Sequence, residues 1–154
     1  QPRWPSSAPK ELALTTTAAR PYRSGIHPLH GLLLSGSFPL FLGAVLSDYA
    51  YATSYLVQWS TFASWLIAGA LVFTGFAMLC ALIGLFRAEH RAPYAIYFGV
   101  LLVTWVIGFV NALIHARDVW AMMPTGLVLS VIVAVLACVA TLLGFSRLGA
   151  GGRS

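Results

Sequence analysis

The chain has 154 residues, 59% of them hydrophobic and only 8% charged, with a mean hydropathy of +0.84. A soluble domain carries roughly a quarter charged residues, so this composition excludes a water-soluble globule and leaves room for one membrane domain. The net charge of +5 reflects scarce acids (Glu11, Asp48, Glu89, Asp118) as much as bases, and without a Lys/Arg cluster or basic helix it does not describe a nucleic-acid binder.

Residues 1–26 are rich in Pro, Ser, Thr and Ala without a sustained period, which predicts an irregular tail. Residues 27–147 read as an all-α membrane domain, a four-helix bundle, and 148–154 as a short C-terminal tail. The first apolar run, about 31–47, is short, interrupted by Pro39 and by Gly31, Gly36 and Gly43, and ends at Asp48. The second, 62–86, and the third, 94–114, are uninterrupted by charge; the fourth is about 122–145, with Pro124 in its first turn. A hydrocarbon core about 30 Å thick needs roughly 20 apolar residues, so the last three qualify on length, and the first on its short connection and its flanks. Pro39 removes a backbone donor and predicts a kink there, with Ser35 or a neighbouring helix compensating.

The basic residues set the orientation. Arg3, Lys10, Arg20, Arg23, Arg87, Arg91, Arg147 and Arg153 would lie on one side and Arg117 alone on the other, placing both termini in the cytoplasm. Tyr49, Tyr51, Tyr55, Trp59, Trp65 and Trp120 at the opposite face fit an interfacial aromatic belt. Small-residue pairs such as Ala70/Thr74 and Ala77/Ala81 on the second helix, with Ala137/Thr141 and Ala140/Gly144 on the fourth, predict that these two helices pack together. That packing would bring the thiols of Cys80 and Cys138 near one another; both read as small core residues rather than redox groups.

Ionisable residues within a membrane segment are costly and mark candidate sites. At the cytoplasmic end stand His27 and His30 in IHPLHG, with His90 in the following loop. A haem b site needs two histidines from separate segments, and His30 with His90 is the pair that offers this, His27 standing beside it. Equally, His30 reads as a headgroup-level anchor. At the outer end stand Asp48, Asn111, His115, Arg117 and Asp118. An Asp48–Arg117 ion pair would clamp helices 1 and 3, while Asp48 with His115 could exchange protons, as at a quinone site. No Gly-rich phosphate loop, HExxH, zinc-spaced cysteine pair or nucleophile elbow occurs, so catalysis by the chain alone is not expected.

The stretch IHPLHGLLLSGSFPLFLGAVLSDYAY, then QWSTFASWLIAGALVFTGF and WVIGFVNALIHARDVWAMMPTG, resembles a bacterial membrane family known as domain of unknown function 2231. The resemblance spans about 26–146 and rests most on His27-Pro28-Leu29-His30, Phe38-Pro39, Asp48 and the Asn111–His115–Asp118 stretch. Many relatives carry a histidine where this chain has Ser37. The resemblance implies a four-helix bundle of the bacterial inner membrane, similar in topology to small b-type cytochromes and often encoded beside quinoprotein sugar dehydrogenases. The leading expectation is an accessory subunit that anchors or organises a redox partner, held in part by the N-terminal tail, and aids electron transfer. Two alternatives stand beside it: a b-type haem or quinone-reactive redox protein, and a small oligomeric transporter or channel.

Overall fold

A computed structural model describes residues 28–88, 91–117 and 119–150, with side chains to 146. The described chain is helical: α1 (Pro28–Ser54), α2 (Val57–Arg87), α3 (Arg91–His115), the single turn α4 (Val119–Met122) and α5 (Thr125–Ala150). Four of these helices are long and apolar enough to cross a membrane. Their outward faces are exposed and predominantly apolar, with residues such as Leu32, Leu46, Val72, Phe76, Ile83, Val106 and Leu142, as suits a lipid-facing surface.

The first helix differs most from expectation. It runs unbroken through Pro39 and seven residues past the predicted end at 47, while α2 starts at Val57 rather than 62. The segment that reads as a 14-residue connection is therefore mostly helix, joined by Tyr55 and Leu56. Tyr55 makes the reversal in the left-handed region (φ 57°), its N–H donating to the Tyr51 carbonyl at 2.8 Å. A left-handed residue with a Cβ is strained by roughly 1–2 kcal/mol. Here the ring of Tyr55 is fixed by stacking on Trp120 and by an edge contact with Tyr51. Pro39 itself is exposed on the outward face of α1. Ser35 is not the compensating group, because its hydroxyl donates to the Gly31 carbonyl.

Every long helix turns inward with a spacing of three and four residues. On α1 the buried positions are His30, Leu34, Ser37, Phe41, Ala44, Asp48 and Tyr51, with Ser47 beside them; on α2 they are Ser60, Ala63, Ile67, Ala70, Thr74, Ala77 and Ala81. On α3 they are Tyr97, Leu101, Thr104, Gly108, Asn111 and His115, and on α5 Ser130, Val133, Ala137 and Ala140 recur at the same interval. This is the heptad pattern of a left-handed bundle. It forms two apolar clusters, one around Phe41, Ile67 and Val133 and one around Leu34, Leu101 and Ala140. Between them Ser37, Thr74 and Thr104 each donate to a carbonyl of their own helix, which satisfies the hydroxyls without linking helices.

The helices do not neighbour one another as the small residues suggest. α1 packs on α2 and α5, and α3 packs on the same two, so α2 and α5 stand on a diagonal and so do α1 and α3. The inward stripes of α2 and α5 are mostly Ala, Ser and Thr because α1 and α3 send large side chains across the centre. The small residues therefore do not bring the backbones of α2 and α5 together; they make room for side chains from α1 and α3. Cys80 and Cys138 are half-buried free thiols on these diagonal helices. Along the α1–α2 contact, a Cβ on Gly36 would stand 2.5 Å from the ring of Phe73, so the glycine makes room for that ring.

Candidate functional site

Two polar clasps join α1 to α3 across the diagonal, one at each end of the bundle. At the end where α1 and α3 begin, His30 Nε2 and the Tyr97 hydroxyl form a hydrogen bond of 2.8 Å, both side chains being buried. Whichever of the two donates, His30 Nδ1 is left buried without a partner. His27 and His90 lie outside the described residues, so of the three proposed haem ligands only His30 is placed, and its Nε2 is occupied by Tyr97. Replacing Tyr97 with Phe would leave both ring nitrogens unpartnered. A loss of about 1–3 kcal/mol is expected for that variant, read as a lower thermal midpoint in mild detergent. An unchanged midpoint would show that the hydroxyl contributes nothing.

At the other end the groups form a closed ring. Asp48 and Asn111 are 0% exposed and His115 is 7% exposed. His115 Nε2 lies 2.8 Å from Asp48 Oδ1, and Nδ1 lies 2.9 Å from the backbone carbonyl of Asn111, one turn earlier on α3. The Asn111 amide donates to Ser130 Oγ at 2.8 Å, and the Ser130 hydroxyl donates to Asp48 Oδ2 at 2.5 Å. Three helices therefore meet through four hydrogen bonds.

The bond directions fix the protons. A carbonyl can only accept, so Nδ1 must carry a hydrogen. The remaining proton then lies between Nε2 and Oδ1, as imidazolium with carboxylate or as imidazole with carboxylic acid. Either way the pair has no net charge, which is how two ionisable groups can be held at this burial. Of the ring's side-chain oxygens and nitrogens, Asn111 Oδ1 alone has no partner.

The surrounding packing holds the imidazole in place. Gly126, in the first turn of α5, brings backbone against it: a Cβ there would lie 3.1 Å from His115 Cε1 and 2.9 Å from Met122 Cγ. Met122 of α4 is fully buried and accepts a hydrogen bond from Ser60 of α2 at 3.5 Å, so the short helix covers this end. Tyr51, expected in the aromatic belt, is instead buried and donates to the Val119 carbonyl at 3.4 Å. Tyr49, Tyr55, Trp65 and Trp120 are exposed, as a belt requires.

Arg117 does not take the role expected of it. It is exposed beyond the end of α3, whereas Asp48 is enclosed with His115 and Ser130 as its partners. The reason is register: His115 falls on the inward heptad stripe of α3, and Arg117 lies two residues past it, where the helix has ended. Asp118 lies outside the described residues. Ser130 and Tyr97 were missed in the sequence. Ser130 is the one hydroxyl in the apolar run Leu127–Thr141 before its final residue, a weak signal that gains meaning only from the heptad spacing.

No group of three or more His, Cys, Asp or Glu side chains suited to a metal ion occurs among the described residues. No curated protein and no solved structure matches the chain. The protein family described as "Predicted membrane protein (DUF2231)" matches it over residues 26–148. With four membrane-length helices enclosed by that match, the chain belongs to the DUF2231 family of membrane proteins.

Proposed function

We propose that this protein is a small accessory subunit of the bacterial inner membrane, with both termini cytoplasmic, that anchors and organises a redox partner. The observation that carries this reading is the closure of the bundle interior. Among the described residues, the histidines and the carboxylate of the core are held in the His30–Tyr97 and Asp48–His115 clasps, about 27 Å apart at 1.5 Å per residue. Between them lie the two apolar clusters and hydroxyls turned onto their own helices. That interior suits a scaffold better than a conduit for ions, which needs polar or charged groups along its length.

The orientation rests on the basic residues, with Arg87 and Arg91 at the end where α3 begins and Arg117 at the other. The redox partner is suggested by the genomic company that the family resemblance implies, and the N-terminal tail offers a segment to hold it. Blue-native electrophoresis of gently solubilised native membranes is the test. The chain is expected to migrate with a second, redox-active protein, well above its own 16.5 kDa. Migration as a lone monomer from native membranes would sink the proposal.

A further inference from the structure

We propose that the ring formed by Asp48, His115, Ser130 and Asn111 is a proton-binding site that takes up and releases a single proton, rather than a fixed structural ion pair. This stands independently of the accessory-subunit reading, because it concerns what the ring holds and not what the bundle carries.

Four hydrogens make the ring's four hydrogen bonds, and three are committed. The Asn111 amide and Ser130 hydroxyl hydrogens belong to groups that do not ionise in water, and the His115 Nδ1 hydrogen is held on a carbonyl. The fourth lies between Nε2 and Oδ1, an imidazole nitrogen and a carboxylate oxygen, either of which can hold it. If it leaves, the Nε2 lone pair faces a carboxylate oxygen and the site carries one negative charge; if it returns, the site is neutral and every bond is made. A second proton on the carboxylate would leave the pair positively charged inside the bundle, with no second carboxylate among the described residues to balance it. The site therefore binds one proton.

Two features point to exchange. The His115 side chain is itself enclosed, 1% exposed, but it stands at the last residue of α3 and is followed directly by the exposed Ala116 and Arg117. Asn111 Oδ1 is a buried acceptor lacking a donor within the ring, which leaves the network one acceptor it has not used. The neighbouring polar groups from each packed element are otherwise engaged. Tyr51 of α1 donates to Val119, Ser60 of α2 donates to Met122 of α4, and Arg117 is exposed. Among the described residues, no further acid or base faces the ring.

Asp48→Asn provides a sharp control. An amide at this position can donate to Nε2 of a neutral His115 and still accept from Ser130, so the hydrogen-bond ring survives while the exchangeable proton is lost. The full chain, labelled with 15N-histidine in lipid nanodiscs, would be followed by ring-nitrogen shifts and by the carboxylic-acid infrared band between about pH 5 and 10. In the native chain the proton is expected on Nε2 or on Asp48 at neutral pH and is expected to leave in one step as pH rises. In Asp48→Asn that step is expected to vanish, with His115 neutral throughout the neutral range and the thermal midpoint close to native. The proposal is overturned if neither atom carries the proton at neutral pH. It is equally overturned if the proton never leaves across the range, which describes a closed ion pair. His115→Gln assigns the signal, and Ser130→Ala is expected to shift the step without abolishing it.

Discussion

His115→Ala is expected to destabilise the bundle by about 3–5 kcal/mol, the range for removing one member of a buried ion pair. The substitution opens a cavity beneath Met122 and Gly126 and leaves Asp48 with Ser130 as its remaining donor. The carboxyl must then stay charged without a counterpart or take a proton and lose the bond to Nε2. Asp48→Ala is expected to fall in the same range or slightly below, because His115 can become neutral. The isosteric Asp48→Asn, which can keep each bond, is expected to cost about 1 kcal/mol or less. Thermal midpoints in mild detergent would rank the three, and an Asp48→Asn as damaging as His115→Ala would show that the bond directions are wrong. Replacing both partners, as Asp48→Leu with His115→Leu, is expected to recover part of the loss. No buried charge is then left alone, and Ser130 can turn to a carbonyl of its own helix.

The second large effect is steric. Gly36→Ala places a methyl group 2.5 Å from Phe73 Cδ1 and Cε1, a separation that van der Waals radii do not permit. Either the Phe73 ring swings away or α1 and α2 separate, at about 1–3 kcal/mol. The helical preference of Ala over Gly opposes this by up to about 1 kcal/mol. A net loss is therefore expected, and a double variant with Phe73→Ala is expected to be less unstable than the two single losses added together. Strict additivity would mean that the two residues do not meet.

Much of the architecture is legible in the sequence because length and hydropathy report directly on the bilayer. Three spans follow from runs of apolar residues, and the family from its motifs. The α1–α2 hairpin was hidden, because Asp48, Tyr51 and Ser54 look like loop residues. They remain helical because the first two point into the bundle on the heptad stripe while the rest face the headgroup region. Helix neighbours were hidden for a different reason. In a membrane the outer face is as apolar as the inner one, so hydrophobic contrast, which reveals the buried side of a soluble helix, is lost. What remains is a recurrence of small and polar residues every three or four positions, visible in Ser60, Ala63, Ile67, Ala70, Thr74, Ala77 and Ala81. Followed through α5, the same recurrence would have singled out Ser130 as a member of the ring. Asp48 with His115 and Asp48 with Arg117 both stand open in the sequence, because charge alone does not say which side of a helix a residue occupies.

The two diagonal clasps have the same sequence offset, 67 residues, between their partners. α1 and α3 are thus pinned to each other near both ends with one axial alignment. A single clasp would act as a pivot, about which one helix could swing. Two of them act as the rungs of a ladder: sliding α1 along α3 by one turn breaks both bonds at once and strands four buried polar groups. Ser130 holds α5 to the same braced pair through Asp48 and Asn111; motion within the bundle is therefore directed to α2, and a partner that reshapes the protein would do so by moving that helix outward.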